Sequence, residues 1–492
     1  MTANFLFMEH ILTLLLLLPL SGALLIALVP GNRAQLIRVI ALLTAVMTMA
    51  LALLLLDLFD ASNPAVQLFE QFIWNPRLGT SYAVGVDGIS LPMVLLAALL
   101  CLVAIMASGG IKERVKGYYL LILVLETAMM GVFMAQDWAI FYVFWEMTLI
   151  PLFFLIDRWG GENRQMASLN FVLYTMGGSV FMLISLLVLF DATPHHSFAM
   201  AEMMKVESGL SEGHQIMIFL GLLVGFGVKM PVFPLHGWLP LAHVEAPAPI
   251  SILLSGILLK MGAYGIIRAA GMLPDAVNAL QNLLLALAMI SIIYGGLLAW
   301  KQRDLKKMIA YSSVSHMGVV LLGIATLSEI GTSGAIAQMV AHGLVAGATF
   351  LLIGLLYERT HTRDLADYSS LIRVTPRFAF FLTLAFIAAI GFPGTFGFVA
   401  ELHVLIGGFQ EWGWLVIILP LGVLISAVYA TRTIGRLFTG PTRDNMRDVD
   451  DLRLIETIAA TMLVAGVIAL GVMPGPMLEL SSAAITQFND IF

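Results

Sequence analysis

GFGVKMPVFPLHGWLP, residues 225–240, places Lys229 at the end of an apolar run and follows it with Pro231, Pro234 and Pro240. Proline has no N–H to donate and its ring clashes with the preceding turn, so a helix entering this stretch ends near Met230. Apolar runs of about 20 residues, enough to span ~30 Å of hydrocarbon, recur on both sides, from Ile11 to Gly475. The 492 residues are 60% hydrophobic and 11% charged, with a mean hydropathy of +0.95. Such values exclude a water-soluble domain and define an integral membrane protein.

The pattern predicts one all-α membrane domain over residues 1–492, with about fourteen transmembrane helices. Their expected spans are 9–29, 34–57, 88–107, 117–135, 138–156, 167–190, 215–230 continuing to 244, 249–271, 277–299, 308–327, 332–357, 378–406, 412–437 and 455–474. The first is too long, and too poor in basic residues before it, for a cleaved signal peptide. If loops alternate sides, 20 of the 25 Lys and Arg residues fall on one face, while Arg77, Lys205 and Arg268 fall on the other. Lys229 and Lys260 lie within spans. By the positive-inside rule the basic face is cytoplasmic, which puts both termini on the periplasmic side of a bacterial inner membrane.

The acids gather around Asp57–Glu70 and Asp191–Glu212 and, mixed with arginines, around Asp444–Asp451; no nucleic-acid surface is read here. A single cysteine, Cys101, cannot form an internal disulfide or hold an iron–sulfur cluster. Neither GxGxxG nor GxxxxGK[ST] follows a strand pattern. The expectation is a chain without cofactor or metal, embedded in the lipid bilayer.

A second break falls at Gly391-Phe392-Pro393-Gly394, about 160 residues after the first. The fourth and ninth spans begin near Gly117 and Val277, at the same separation. The ninth span follows the fourth by five, and an odd offset inverts the second unit. The expected architecture is thus two inverted five-helix repeats, 117–271 and 277–437, with discontinuous helices 7 and 12. Paired interrupted helices of this kind point to a transport site near the midplane.

Glu146, Lys229, Lys260 and Glu401 sit near the middle of otherwise apolar spans. A central charge costs roughly 2.5–3.5 kcal/mol on insertion scales. A structural Glu146–Lys229 ion pair would account for two of the four. A string of carboxylates and ammonium groups that hand protons on accounts for all of them. His316 and His342 stand between Lys260 and Glu401 in chain order and, with Tyr311, Ser312, Ser313 and Ser315, suit a relay or water wire. Glu126, also mid-span, faces either the relay or a neighbouring subunit. His236 and His243 suit either the mouth of an uptake path or simple interfacial placement, with the second favoured. His403 projects elsewhere on its helix, and Asp87 is placed to cap the third helix.

The segments VDGISLP, FYVFWEMTLIPLFFLI, KMPVFPLHGWLPLAHVEAPAPIS, GILLKMGAYGIIR, DLKKMIAYSSVSHMG and AHGLVAGATFLLIG resemble the antiporter-like membrane subunits of respiratory complex I, the proton-pumping NADH–quinone oxidoreductase. The resemblance implies fourteen core helices in two inverted five-helix units. It implies an input pair at Glu146 and Lys229, a central lysine at Lys260, connecting histidines at His316 and His342, and a terminal group at Glu401. Glutamate at 401, with no added C-terminal lateral helix, matches the family's M type, whose neighbours are L-type and N-type subunits. NADH, FMN, iron–sulfur clusters and quinone are then expected in partner subunits. Leu241 departs from the charged residue that many relatives carry after WLP, which removes that position from any entry path. The alternative reading is a subunit of a multisubunit Mrp-type cation/proton antiporter; a purely structural scaffold leaves the midplane charges unexplained.

Overall fold

The apolar runs become helices because in hydrocarbon every backbone N–H and C=O must be paired within the protein. In a computed structural model, which describes residues 9–205 and 209–492, twelve helical stretches among those residues are long and apolar enough to cross a membrane. Residues 1–8 of the expected domain, and Glu207 of the acidic 191–212 loop, lie outside the described residues. The apolar middles of the helices Ala248–Met272 and Glu329–Thr360 are wholly buried, and that of Leu305–Ala325 nearly so. These three form the centre of the molecule, so polar groups on them face protein instead of lipid.

Helix crossings at the centre depend on small residues, which let backbones approach closely where no hydrophobic force drives association. A Cβ on Gly343 would lie 2.8 Å from the Gly256 carbonyl oxygen. This contact joins the helices that carry Lys260 and His342. A π turn at Leu254–Leu258 precedes Lys260.

Both expected breaks are present. The helix Glu212–Lys229 stops at the prolines and a short helix resumes at Trp238–Glu245. The backbone groups freed there find new partners: Trp238 Nε1 donates to the Val228 carbonyl at 2.8 Å, and the Phe233 N–H donates to Ser291 Oγ at 3.1 Å. The second break separates Pro376–Ala389 from Phe396–Trp412, with Gly391 at φ 73° and Gly394 at φ 94°.

Two elements lie outside the expected pattern. Strands Gln67–Asn75 and Thr80–Val86 form an antiparallel hairpin, pairing Phe72 with Tyr82. Glu70 ties it down by accepting the Leu12 N–H at 2.7 Å, a carboxylate at the positive end of the first helix. Asp137 does the same from the other side, capping the helix Trp138–Met147 at Ala139 N (2.8 Å) while accepting the Ser81 N–H (3.0 Å). The second is a terminal helix, Gly475–Asn489. It packs beside the hairpin end, where Gly88 meets the backbone of Leu480 and Ser481.

Candidate functional site: a line of buried ionisable groups

Four of the singled-out side chains come together in one line. Lys260 Nζ lies 2.6 Å from His342 Nδ1 and also donates to the Ser255 carbonyl at 2.7 Å. The His342 and His316 rings are 5.4 Å apart between centroids. His316 Nδ1 then lies 3.9 Å from Glu401 Oε1. All four residues are buried, none more than 8% exposed.

Two neighbours that sequence reasoning did not single out support the line. Gln338 Nε2 is 3.3 Å from His316 Nδ1; it lies one helical turn before His342, a spacing that puts both on one face. Ser255 shares a 2.9 Å hydrogen bond with Ser313, one of the expected hydroxyls. Ser312 and Ser315 instead bond backbone carbonyls, at Ile309 and Ile292.

Glu401 sits against the second break. A Cβ on Gly391 would overlap its carboxylate. Glycine meets two demands at this position: positive φ, and close approach of backbone to the acid. The break therefore seats the last group of the line.

The other half is arranged differently. Lys229 is 1% exposed and donates to Thr148 Oγ1 at 2.9 Å, with Nζ 3.9 Å above the Trp145 ring. Among the described residues no direct ion pair joins it to Glu146, so the structural pair is absent here. Glu146 is half-buried and lines an open groove of about 670 Å³ with Tyr142, Ile150 and Phe154. Trp145 and Thr148 are three residues apart and share a face, whereas Glu146 is turned about 100° from Trp145 on a helix of 3.6 residues per turn. No hydrogen bond joins Lys229 to Lys260 among the described residues.

Glu126 is 0% exposed within this chain alone, and both carboxylate oxygens lack a hydrogen-bond partner among the described residues. Enclosed in this way, it does not face a neighbouring subunit. His243 is also 0% exposed, stacked on Phe350 with 4.7 Å between ring centroids. The short helix after the break carries His243 inside the chain. His236 is buried between Phe233 and Tyr294. His403 bonds the Val399 carbonyl and lines a separate cleft with Glu329 and Glu479. Asp87 accepts the N–H groups of Ile89 and Ser90 at 3.1 and 2.9 Å; these belong to the turn before the helix Leu91–Ala107, whose N-cap is Ser90, so Asp87 braces that turn instead of capping the helix as expected, and it also binds Arg268.

Broken helices beside a line of buried ionisable groups define the class of membrane domains that move ions. The chain belongs to the NADH:quinone oxidoreductase/Mrp antiporter transmembrane family, which matches residues 135–427, and within it to the antiporter-like subunit M, or chain 4, group. It is 37% identical to NADH-quinone oxidoreductase subunit M of Rhodobacter capsulatus over 495 residues, covering 98% of this chain and 96% of the relative. Among solved structures it is similar to a chain of respiratory complex I from Thermus thermophilus with bound NADH: TM-score 0.88, 31% identity, 98% of this chain and 99% of that one. A chain of the Mrp complex from Dietzia sp. DQ12-45-1b shares the fold, with TM-score 0.87 at 21% identity, over 98% of both chains.

Proposed function

We propose that this chain translocates protons as the M-type membrane subunit of an NADH–quinone oxidoreductase, coupled to quinone reduction elsewhere in the complex. The observation that carries this reading is the contact line Lys260, His342, His316, Glu401. An imidazole accepts a proton on one ring nitrogen and releases one from the other, so two histidines between a lysine and a carboxylate make a relay. The Lys260 ammonium hands its proton to His342 Nδ1, His316 carries it on, and Glu401 receives it. The 3.9 Å separation of His316 and Glu401 exceeds hydrogen-bond range, so a small side-chain shift or one bridging water completes the step. Lys229, with Thr148 and Glu146, forms the loading end, and Glu126 is a further protonatable station inside the first half.

Counting each broken pair as one crossing gives fourteen, with 117–271 and 277–437 as inverted five-helix units. The separation of the two breaks by about 160 residues, the same as that between the starts of the two units, supports that symmetry. The basic face is the cytoplasmic side of a bacterial inner membrane and both termini are periplasmic, in keeping with the lysine and arginine distribution. NADH, FMN, iron–sulfur clusters and quinone belong to partner subunits, and L-type and N-type chains flank this one.

The test is Glu401→Gln against Glu401→Asp in the isolated complex, with NADH-driven proton uptake measured in reconstituted vesicles. The amide keeps shape but holds no transferable acid proton, so turnover falls strongly; the aspartate retains part of it. Near-normal pumping by both would move the exit away from residue 401. Proton flux driven by a sodium gradient, with no redox chains copurifying, would instead support the Mrp-type reading.

A further inference from the structure

At the hairpin end of the molecule a cavity of about 290 Å³ opens between the hairpin flank, the short helix Met200–Met203 and the terminal helix. Asp87 and Arg268 line it, joined by an ion pair at 2.5 Å, with side chains 6% and 20% exposed. The two residues are 181 positions apart. Arg268 also lies on the Lys260 helix, and Lys260, Tyr264 and Arg268 follow one another at i, i+4 and i+8, which is one face of that helix. Tyr264 stands between them: its hydroxyl donates to the Phe133 carbonyl at 3.2 Å, and the Arg268 guanidinium sits 4.8 Å over its ring.

A stripe of polar side chains from a central lysine to an open cavity is a route to water, unless something closes it. An arginine keeps its charge at every working pH, and a fixed guanidinium in a narrow passage excludes protons and cations. Asp87, itself held by the Ile89 and Ser90 N–H groups in the turn before the helix Leu91–Ala107, fixes the guanidinium in place. Building on the relay proposed above, we infer that the Asp87–Arg268 pair is the seal of the first half. It denies protons on Lys260 the short way out along their own helix, so that they leave only by way of His342, His316 and Glu401. The pair acts through its charge and position and takes no part in the transfer itself.

The experiment is passive proton conductance of the complex in vesicles containing a pH-sensitive dye, under a potassium diffusion potential with no NADH present. Arg268 is about 12 Å along the helix from Lys260 at 1.5 Å per residue. A unit charge at that distance, in a medium of effective dielectric about 20, changes a passage rate by roughly tenfold. Arg268→Gln is expected to raise the passive conductance by about that factor, Arg268→Lys to keep the seal, and Lys260→Ala placed in the Arg268→Gln background to abolish the leak. If Arg268→Gln fails to assemble, Asp87→Asn/Arg268→Gln removes both charges without stranding one, and a smaller rise in the same direction is expected, because at that distance the paired charges act only as a dipole. An assembled variant that leaks no more than the parent, or a leak that persists without Lys260, overturns the inference. Because no turnover is involved, a failure here is distinct from a failure of the relay, which is read from NADH-driven pumping by the Glu401 variants.

Discussion

Gly391→Ala separates the chemistry of the second break from its mere shape. The substitution has two consequences. It forces a side chain into the left-handed region at φ 73°, at about 1–2 kcal/mol, and it drives a methyl group into the Glu401 carboxylate. Gly394→Ala isolates the first effect: φ there is 94° and nothing lies within 4 Å of the added carbon. The two variants should therefore assemble to a similar, slightly reduced extent. In Gly391→Ala the carboxylate has to retreat by roughly 1 Å, a misplacement that can reduce a well-positioned transfer by about 10²-fold. It would move Glu401 from the position that sets its present 3.9 Å separation from His316. The assay is NADH-driven proton uptake and quinone reduction per assembled complex in vesicles. Strong loss in Gly391→Ala beside near-normal activity in Gly394→Ala supports the seating of Glu401 by the glycine. Equal activities, whether both high or both low, would refute it.

Two further outcomes are expected. Replacing His316 or His342 singly with glutamine should slow pumping partly, since water and the Gln338, Ser255 and Ser313 side chains bridge a single gap. The double replacement should slow it far more, and a double variant pumping at the parent rate would make both packing residues. Thr148→Val removes the hydroxyl that accepts from Lys229; a hydrogen bond to a charged group contributes about 1.5–3 kcal/mol, so loading should slow by roughly tenfold or more. The rate of proton uptake in the assembled complex checks this, and an unchanged rate would mean that the threonine does not set the charge of the lysine.

Whatever follows from the solvent could be read from the residues alone. In hydrocarbon a run of apolar residues has to be helical, a proline or glycine pair has to interrupt it, and a charge inside it has to be there for a reason. The membrane class, the breaks at Lys229 and Gly391, and the ionisable side chains at 126, 146, 229, 260 and 401 were legible on those grounds. The hairpin was not, because a short, mixed run such as QLFEQFIWN between spans reads as loop until a second strand pairs with it and Glu70 finds the first helix. Nor was the direction in which each charge points. Each residue turns a helix by about 100°, so adjacent residues face different neighbours: Lys229 meets Trp145 and Thr148 while Glu146 opens to a groove. Only tertiary packing brought Lys260 to His342 across 82 positions and Arg268 to Asp87. The physical reason is that a side chain's partners depend on helix rotation and crossing. Small residues such as Gly256 and Gly343 set these by how closely they let backbones approach, and hydropathy does not record the partner helix.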